Sequence, residues 1–414
     1  MDNISHSVVG LVVGEIIHRS LPEPSAPEER QTRRRLLLFA AWFASNFPDL
    51  DLILTPLLPP PLGYLLHHRG HTHTILYAVP QAALLIAGVW LLWPAARRLL
   101  KKDGMARKAF TFSVLVGFAL HMMMDYLNSY GIHPFHPFDS RWFFGDMVFI
   151  IEPFFWVSFG IPMALTLSRK WLKAFTCLFL LGVPLAFTFA HFLPLPSYLI
   201  LVITAVLLAI IQNRVPRGST APFVLAAFLG VLFVAAQSFS SSIAKRTLIA
   251  ELTEKDPGFS YLDSALSSYP TNPLCWSFVS VTKNEAAGEY RMRRGLLSLS
   301  PLVPASDCPP GLAGGQTPEE VKTQFVYYAA ETARLALIRD LSKTNCFFDA
   351  WLRFARAPMV RDNEGWDIRF SSHLRQNFTT IRLAQFEGQS CPDWIPHWGR
   401  PREDLLLNQG NAGK

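Results

Sequence analysis

The sequence predicts an all-α, multi-helix integral membrane domain of about eight hydrophobic helices, two of them short, followed by a soluble α+β domain. Long apolar runs recur before residue 240 and do not occur after it. Only 17% of the 414 residues are charged, against roughly 25% in ordinary soluble domains, which argues against a water-soluble globule. Charge returns from Lys245 onward, so we divide the chain into residues 1–240 and 241–414.

Six apolar runs are candidates for membrane-spanning helices. A helix needs ~20 mostly apolar residues to cross the hydrocarbon core, and most of the runs approach this length. They cover residues 78–96, 109–127, 147–167, 172–190, 197–211 and 222–238. Two shorter runs, 7–17 and 36–47, precede them, and their length is typical of buried or half-inserted helices.

Basic residues predict the orientation, because lysine and arginine in short loops stay in the cytoplasm. They gather in three loops that alternate correctly for a helical bundle, and in a cluster before the run at 36–47. These residues are Arg33, Arg34, Arg35, Arg97, Arg98, Lys101, Lys102, Arg107, Lys108, Arg169, Lys170, Lys173, Arg214 and Arg217. This orientation places every residue after 238 on the extracytoplasmic side of the membrane. It also accounts for most of the +7 net charge, and nothing indicates nucleic acid as a partner.

The tail contains both helix and strand patterns. Thr317-Pro318-Glu319-Glu320 matches a capping box with proline at the first helical position. Apolar residues at helical spacing follow it, which predicts one amphipathic helix: Val321, Phe325, Tyr328, Thr332 and Leu335. Residues 366–370 and 379–386 alternate as half-buried strands do.

Four of the five cysteines belong to the tail: Cys275, Cys308, Cys346 and Cys391. An even number in an exported domain permits two disulfides. The sequence leaves their pairing open, and four unpaired buried thiols are the alternative.

Ionisable residues inside membrane segments are costly and usually functional. His121 and Asp125 interrupt one apolar run four residues apart, so a helix places both on one face, where they can hold a metal ion. Asp49 and Asp51 follow the short run at 36–47, although an Asp-x-Asp there is also a common helix cap. The denser cluster that comes next consists of His67, His68, Arg69, His71 and His73.

Further polar residues follow Asp125 or precede the first helix. They are Asn128, His133, His136, Asp139, Arg141, Asp146, Glu152 and the early His6. With the basic loops inside, His6, Asp49, His73, His121 and Glu152 all fall at the outer membrane face. Scattered structural residues would not be expected to sort in this way, so we predict one site at that face.

These motifs resemble the membrane-bound metal-dependent hydrolase family, which includes the LexA-regulated inner-membrane hydrolases of bacteria. The resemblance covers roughly residues 1–165, although family members commonly carry aspartate where this chain has Glu152. The matching pieces are His6, Pro48-Asp49-Leu50-Asp51, His68-Arg69-Gly70-His71-Thr72-His73, His121 with Asp125, Asn128-Ser129-Tyr130-Gly131, Pro137-Phe138-Asp139-Ser140-Arg141 and the stretch from Asp146 to Glu152. The family is more distantly similar to helical zinc phospholipases and nucleases, which implies phosphoester hydrolysis.

We therefore expect a metal-dependent hydrolase of the bacterial inner membrane, with a small or lipid-linked phosphoester as substrate. Zn²⁺ suits mixed histidine and carboxylate ligands, and Mn²⁺ is the alternative. Arg69, aided by Arg141, would neutralise the phosphate. The expected ligands are His6, Asp49, Asp51, His68, His73, His121, Asp125 and Glu152. A transporter that uses the same residues, or a scaffold in which metal serves only folding, remains open.

Overall fold

The computed structural model describes residues 1–24, 26–309, 316–370 and 377–407. The first 255 residues are helical apart from their connections. The helices are α1 (Asn3–Ser20), α2 (Pro27–Ala44), α3 (Leu62–His67), α4 (Ile75–Leu92), α5 (Pro94–Lys102), α6 (Gly104–Tyr126), α7 (Pro153–Leu165), α8 (Lys170–Phe189), α9 (Leu195–Arg214) and α10 (Ala221–Lys255). Short 3₁₀ segments at Phe47–Leu57 and His71–His73 complete this half.

Within the described residues, six helical segments are long and apolar enough to cross a membrane: Pro27–Leu57, Ile75–Leu92, Gly104–Tyr126, Lys170–Phe189, Leu195–Arg214 and Ala221–Lys255. The expected number of eight is therefore not reproduced. The run at 36–47 belongs to a longer segment, because α2 begins nine residues earlier and continues into a 3₁₀ helix. The run at 7–17 lies in α1, which is 18 residues long but carries Glu15, His18 and Arg19 at its end.

The run at 147–167 contains a shorter helix than the sequence predicts. Its helical part is α7, which has 13 residues. Pro153 occupies the first turn, and the Glu152 side chain accepts a hydrogen bond from the backbone N–H of Phe154. A proline and a capping carboxylate favour a helix start at this point. The residues before Glu152 therefore form a connection and are not part of the helix.

Close packing of α1, α2 and α6 forms the part of the bundle that carries the candidate site. A Cβ on Gly117 of α6 would lie 2.5 Å from the Cβ of Ala44, and one on Gly10 of α1 would lie 2.8 Å from the carbonyl oxygen of Ala41. Only glycine permits these approaches. They bring His6 on α1 and His121 on α6 together with the end of α2.

The tail contains two antiparallel sheets. The larger has the strand order β1-β2-β3-β5-β4, and the smaller has the order β6-β7-β8. The strands are β1 (Ser260–Tyr269), β2 (Asn272–Asn284), β3 (Glu289–Ser298), β4 (Glu320–Val321), β5 (Phe325–Arg334), β6 (Pro358–Arg361), β7 (Glu364–Asp367) and β8 (Ile381–Arg382). Helices α11 (Leu335–Thr344), α12 (Cys346–Leu352) and α13 (Glu403–Leu406) pack beside them.

The amphipathic helix predicted after Thr317 is wrong, because that segment forms β4 and β5. Phe325 pairs with Leu297 of β3, and the pairing continues to Arg334 opposite Glu289. Aromatic and β-branched residues make up half of β5, and these favour strands. The two predicted strands are confirmed in part: residues 364–367 and 381–382 are strands, and a short 3₁₀ helix follows each.

Helix α10 joins the two halves without a break at residue 240. At 1.5 Å per residue its 35 residues span about 50 Å, longer than the ~30 Å hydrocarbon core. Its last turns bury Ala244, Leu248 and Leu252 against Trp276 and Phe278 of the large sheet. The end of α10 is therefore part of the tail's hydrophobic core.

The four tail cysteines form two disulfides, Cys275–Cys308 and Cys346–Cys391. They close loops with sequence separations of 33 and 45 residues. Each bond ties a segment of irregular chain to a sheet or a helix, so the tail has covalent support in the regions with least regular structure.

Removing either disulfide is expected to destabilise the tail by about 2–4 kcal/mol, because the unfolded chain regains the entropy of the closed loop. The Cys275→Ser/Cys308→Ser variant should unfold at lower denaturant concentration than the parent protein. Cys177→Ser, which removes a free thiol, is the control. An unchanged unfolding midpoint in the double variant would contradict the expectation.

Candidate metal centre

Four side chains from three segments converge at one end of the bundle. Asp49 lies in the 3₁₀ segment after α2, His73 ends the 3₁₀ turn before α4, and His121 and Asp125 lie on one face of α6. One ligand atom from each of the four lies within 4.8 Å of the others. His73, His121 and Asp125 are fully buried. These residues include both histidine and carboxylate donors, a combination that suits Zn²⁺ or Mn²⁺.

The imidazole Nε2 atoms of His73 and His121 lie 2.9 Å apart and face the two carboxylates. The Nδ1 atom of His121 lies 2.8 Å from the carbonyl oxygen of Ser45. A carbonyl only accepts hydrogen bonds, so Nδ1 carries the proton and Nε2 presents its lone pair. Metal-binding histidines are usually oriented in this way through their second nitrogen.

Asp51 orients His73 and the loop before it. Its Oδ2 accepts hydrogen bonds from the backbone N–H of Arg69 at 2.9 Å and from the Thr72 hydroxyl at 2.7 Å. The same oxygen lies 3.3 Å from His73 Nδ1, and Oδ1 lies 3.0 Å from His68 Nδ1. Asp51 and His68 were predicted as ligands, whereas the structure places them behind His73.

Charge and hydrogen bonding both prepare the site for a cation. Burial disfavours a charged His73, but hydrogen bonds to Asp125, Asp49 and Asp51 outweigh it and raise the pKa of His73 to about 10. Asp125 Oδ2 lies 3.1 Å from His73 Nε2 and 3.4 Å from His121 Nε2. The centre therefore attracts a positive charge at Nε2, either a proton or a metal ion, and the donor set fits a divalent metal.

His6 and the amino group of Met1 lie against Asp125. His6 Nε2 is 3.3 Å from Asp125 Oδ1, and its ring stacks on His121 with centroids 4.2 Å apart. The buried Met1 amino group donates to the same carboxylate oxygen. The structure therefore places His6, as predicted, beside the four clustered side chains. The motifs gave no signal for the Met1 amine or for the Ser45 carbonyl, since neither is a side-chain group.

Arg69 is held beside the carboxylates. It is 2% exposed, its Nη2 lies 2.8 Å from Asp125 Oδ1, and its Nη1 donates to Asn128 Oδ1 at 3.1 Å. Its guanidinium covers the ring of Tyr130 at 4.6 Å. The backbone φ of 58° is unusual for a residue with a side chain, so these contacts hold Arg69 in a costly conformation.

Arg141 and Glu152 are not brought to this cluster. The Arg141 side chain is 79% exposed and pairs with Asp139 at 2.7 Å. Glu152 is fully buried, but it accepts hydrogen bonds from the backbone N–H and hydroxyl of Thr271 in the tail, besides capping α7. Burial raises the pKa of Glu152 to about 7, against those hydrogen bonds. Its role is at the junction of the two halves.

The tail covers the loops that carry the site. Trp398 donates from Nε1 to the Leu66 carbonyl at 2.9 Å, and its ring packs against His133 and His136. Arg369 donates to the carbonyl of Ser129 at 2.8 Å. These pairings join residues more than 200 positions apart, so sequence patterns could not reveal them.

Comparison with known proteins gives matches to the membrane half. The model of the YdjM inner membrane protein family matches residues 1–194, which contain all four clustered side chains. The uncharacterized protein YfhP of Bacillus subtilis (strain 168) is 27% identical over 158 residues, 38% of this chain and 44% of that protein. The alignment therefore spans less than half of the relative's length. No solved structure gives a significant match.

The helices and the family match agree with each other. Six segments have the length and composition of membrane spans, and the matched family is one of inner-membrane proteins. The chain is thus a multi-pass membrane protein whose first 194 residues are similar to the YdjM inner membrane proteins and contain a cluster able to bind a metal ion.

Proposed function

We propose that this protein is a membrane-bound, metal-dependent hydrolase that cleaves a phosphoester, either small or lipid-linked. The observation that carries the proposal is the buried cluster of Asp49, His73, His121 and Asp125, in which two imidazole nitrogens and two carboxylates converge. The resemblance to metal-dependent hydrolases gives the reaction class. Zn²⁺ is the metal that this donor set suits best, with Mn²⁺ as the second choice.

The residues around the cluster have separate tasks in this proposal. Asp49, His73, His121 and Asp125 would hold the metal, which when bound supplies a water molecule with a pKa lowered toward ~7. Asp51 fixes the orientation of His73. Arg69 lies beside Asp125 and would bind the phosphate oxygens, because its guanidinium is fixed in place and stays charged at neutral pH.

We further propose that the site and the tail face the extracytoplasmic side. The arginines of α1 and α2 lie at the opposite end of the bundle from the cluster, and the positive-inside rule favours the cytoplasm for that end. Two disulfides in the tail suit an oxidising compartment. Thiol labelling of a cysteine introduced at exposed Arg382, in cells, would test this orientation.

The function is tested on full-length protein purified in detergent. A panel of a phosphomonoester, a phosphodiester, a short-chain phospholipid and an isoprenoid diphosphate should include at least one substrate. Activity should disappear after chelation and return with Zn²⁺ or Mn²⁺. Stoichiometric metal without hydrolysis of any of these would favour the metal-stabilised scaffold instead, and protein that binds no metal would refute the proposal.

Replacing Arg69 with lysine is expected to lower kcat/KM by about 10²–10³, the usual effect of losing one fixed group that stabilises charge in a transition state. Metal content should stay close to stoichiometric, because Arg69 is not among the four ligands. Arg382→Lys, which alters an exposed pair with Glu364, is the matched control. Wild-type kinetics for Arg69→Lys would contradict the role given to Arg69.

A further inference from the structure

We propose that the end of the bundle opposite the metal cluster binds one anionic phospholipid, with its phosphate in a basic cavity and an acyl chain in an adjoining apolar groove. The cavity and the metal cluster are separate. His6 and Arg19 are thirteen residues apart on α1, which corresponds to about 20 Å along the helix axis. The proposal therefore does not depend on the proposed hydrolase activity.

The basic cavity consists of two adjoining spaces of about 290 and 550 Å³ that share Arg19, Arg34 and Arg217. Six cationic side chains line them, against two carboxylates. The cations are Arg19, Arg30, Arg33, Arg34, Lys173 and Arg217, and the carboxylates are Glu15 and Glu23. Such an excess of positive charge in a concave site attracts an anion.

A buried carboxylate holds two of the arginines in position. Glu15 is 1% exposed and accepts from Arg19 Nε at 2.7 Å and from Arg34 Nε at 2.8 Å. Arg19 also donates from Nη1 to the carbonyls of Arg217 and Ser219, at 2.9 and 2.7 Å. The guanidinium groups are therefore fixed before a ligand arrives, which reduces the entropy lost on binding.

Other donors of the cavity are only partly satisfied, although Arg33 Nη1 donates to the Pro22 carbonyl at 2.8 Å. Arg33 is 3% exposed, and its Nε is a buried atom with no hydrogen-bond partner among the described residues. Among the residues that the structure describes, neither Lys173 nor Arg217 has a carboxylate oxygen within 4.0 Å. Helix α8 begins here without a side-chain cap, so its N-terminal N–H groups add partial positive charge. An acceptor with several oxygens, such as a phosphate, would satisfy these groups.

An apolar groove continues from this cavity into the bundle. It has a volume of about 500 Å³ and shares Arg34, Thr166, Leu167 and Ser168 with the larger basic space. Its remaining walls are mostly aliphatic side chains of α1, α2, α7 and α8, including Val8, Leu11, Leu38, Met163 and Leu180. A free phosphate would leave this groove empty, whereas a phospholipid would fill both the basic cavity and the groove. Basic pockets between membrane helices are known to bind anionic headgroups.

Native mass spectrometry of the full-length protein tests the proposal. Protein exchanged into detergent with phosphatidylglycerol should retain one lipid far better than with phosphatidylcholine. The Lys173→Gln/Arg217→Gln variant should retain phosphatidylglycerol about 25-fold less, at roughly a fivefold loss for each cation near a phosphate. Arg98→Gln/Lys108→Gln removes the same charges at exposed positions outside the cavities and should retain the lipid.

Three further measurements keep the outcome unambiguous. Leu38→Trp fills the groove and should also abolish lipid retention, while 10 mM inorganic phosphate should not displace the lipid. If the double variant aggregates, the exposed Arg217→Gln alone should weaken retention about fivefold. Equal loss in the Arg98/Lys108 control, no preference over phosphatidylcholine, or displacement by phosphate with no effect of Leu38→Trp would overturn the assignment.

Discussion

Replacing His121 with alanine is expected to weaken Zn²⁺ binding by more than about 100-fold and to abolish any metal-dependent hydrolysis. Loss of a group that only orients a ligand typically costs 10–100-fold in affinity, and His121 is itself one of the four donors. Its Nδ1 is engaged by the Ser45 carbonyl and its Nε2 faces the other donors. Metal content by mass spectrometry and affinity by chelator competition measure the effect.

His133→Ala is the matched control for this change. His133 is equally buried, but it lies between Trp142 and Trp398, with ring centroids 4.3 and 4.0 Å away. Both variants lose an imidazole from the interior, so a general loss of stability affects both. Metal loss confined to His121→Ala supports the centre, and equal loss in the two variants would contradict it.

Two further variants separate direct ligands from their supports. Asp51→Asn should reduce the affinity by about 10–100-fold, because Asp51 orients His73 through its Nδ1. Glu152→Gln should keep the metal, since Glu152 pairs with Thr271 instead. The sequence motifs alone predict metal loss in Glu152→Gln, so this variant compares the sequence prediction with the observed geometry.

Much of the site could be predicted because membrane segments make polar residues conspicuous. Asp49, His121 and Asp125 stand out in apolar surroundings, and the spacing of His121 and Asp125 defines a helix face. Sequence patterns do not distinguish a ligand from the residue behind it. Asp49 and Asp51 belong to one motif, and His68 and His73 belong to another. Only the fold shows that Asp49 and His73 reach the cluster.

The fold was predictable where one local pattern dominates and less so elsewhere. The positions from Val321 to Leu335 that predicted a helix recur at helical spacing, but pairing of β5 with β3 overrides this periodicity. The shortening of α7 depends on Glu152 and Pro153 together. The docking of the tail depends on pairs far apart in the chain, such as Glu152 with Thr271 and the network around Arg356.

Replacing Arg356 with methionine is expected to destabilise the protein by about 3–5 kcal/mol and to loosen the tail from the membrane half. Arg356 is 3% exposed and forms two hydrogen bonds with Asp146, at 2.7 and 2.8 Å. It also binds Asp263 of β1 at 2.7 Å and lies 3.9 Å above the Phe144 ring. Removing one partner of a buried ion pair leaves the others charged without compensation.

The pH dependence of the Asp263–Arg356 pair has a definite sign, whereas burial raises the pKa of Asp146, the other carboxylate of the network. Burial alone would raise the pKa of Asp263, but the charge of Arg356 outweighs it and holds that pKa below its ordinary value. A carboxylate with a lowered pKa stabilises the folded state above the pKa of the unfolded chain, ~3.9, and loses this contribution as the pH falls. The difference between parent and Arg356→Met should therefore shrink below about pH 4.

A rescue experiment distinguishes buried charge from lost packing. If the cost of Arg356→Met comes from uncompensated carboxylates, adding Asp146→Asn and Asp263→Asn should recover a large part of it, because neutral groups are cheaper to bury. Arg382→Met, which breaks an exposed pair with Glu364, should cost less than about 1 kcal/mol. Denaturant unfolding followed by limited proteolysis of the tail measures both. An Arg356→Met variant as stable as Arg382→Met would mean that the network does not hold the two halves together.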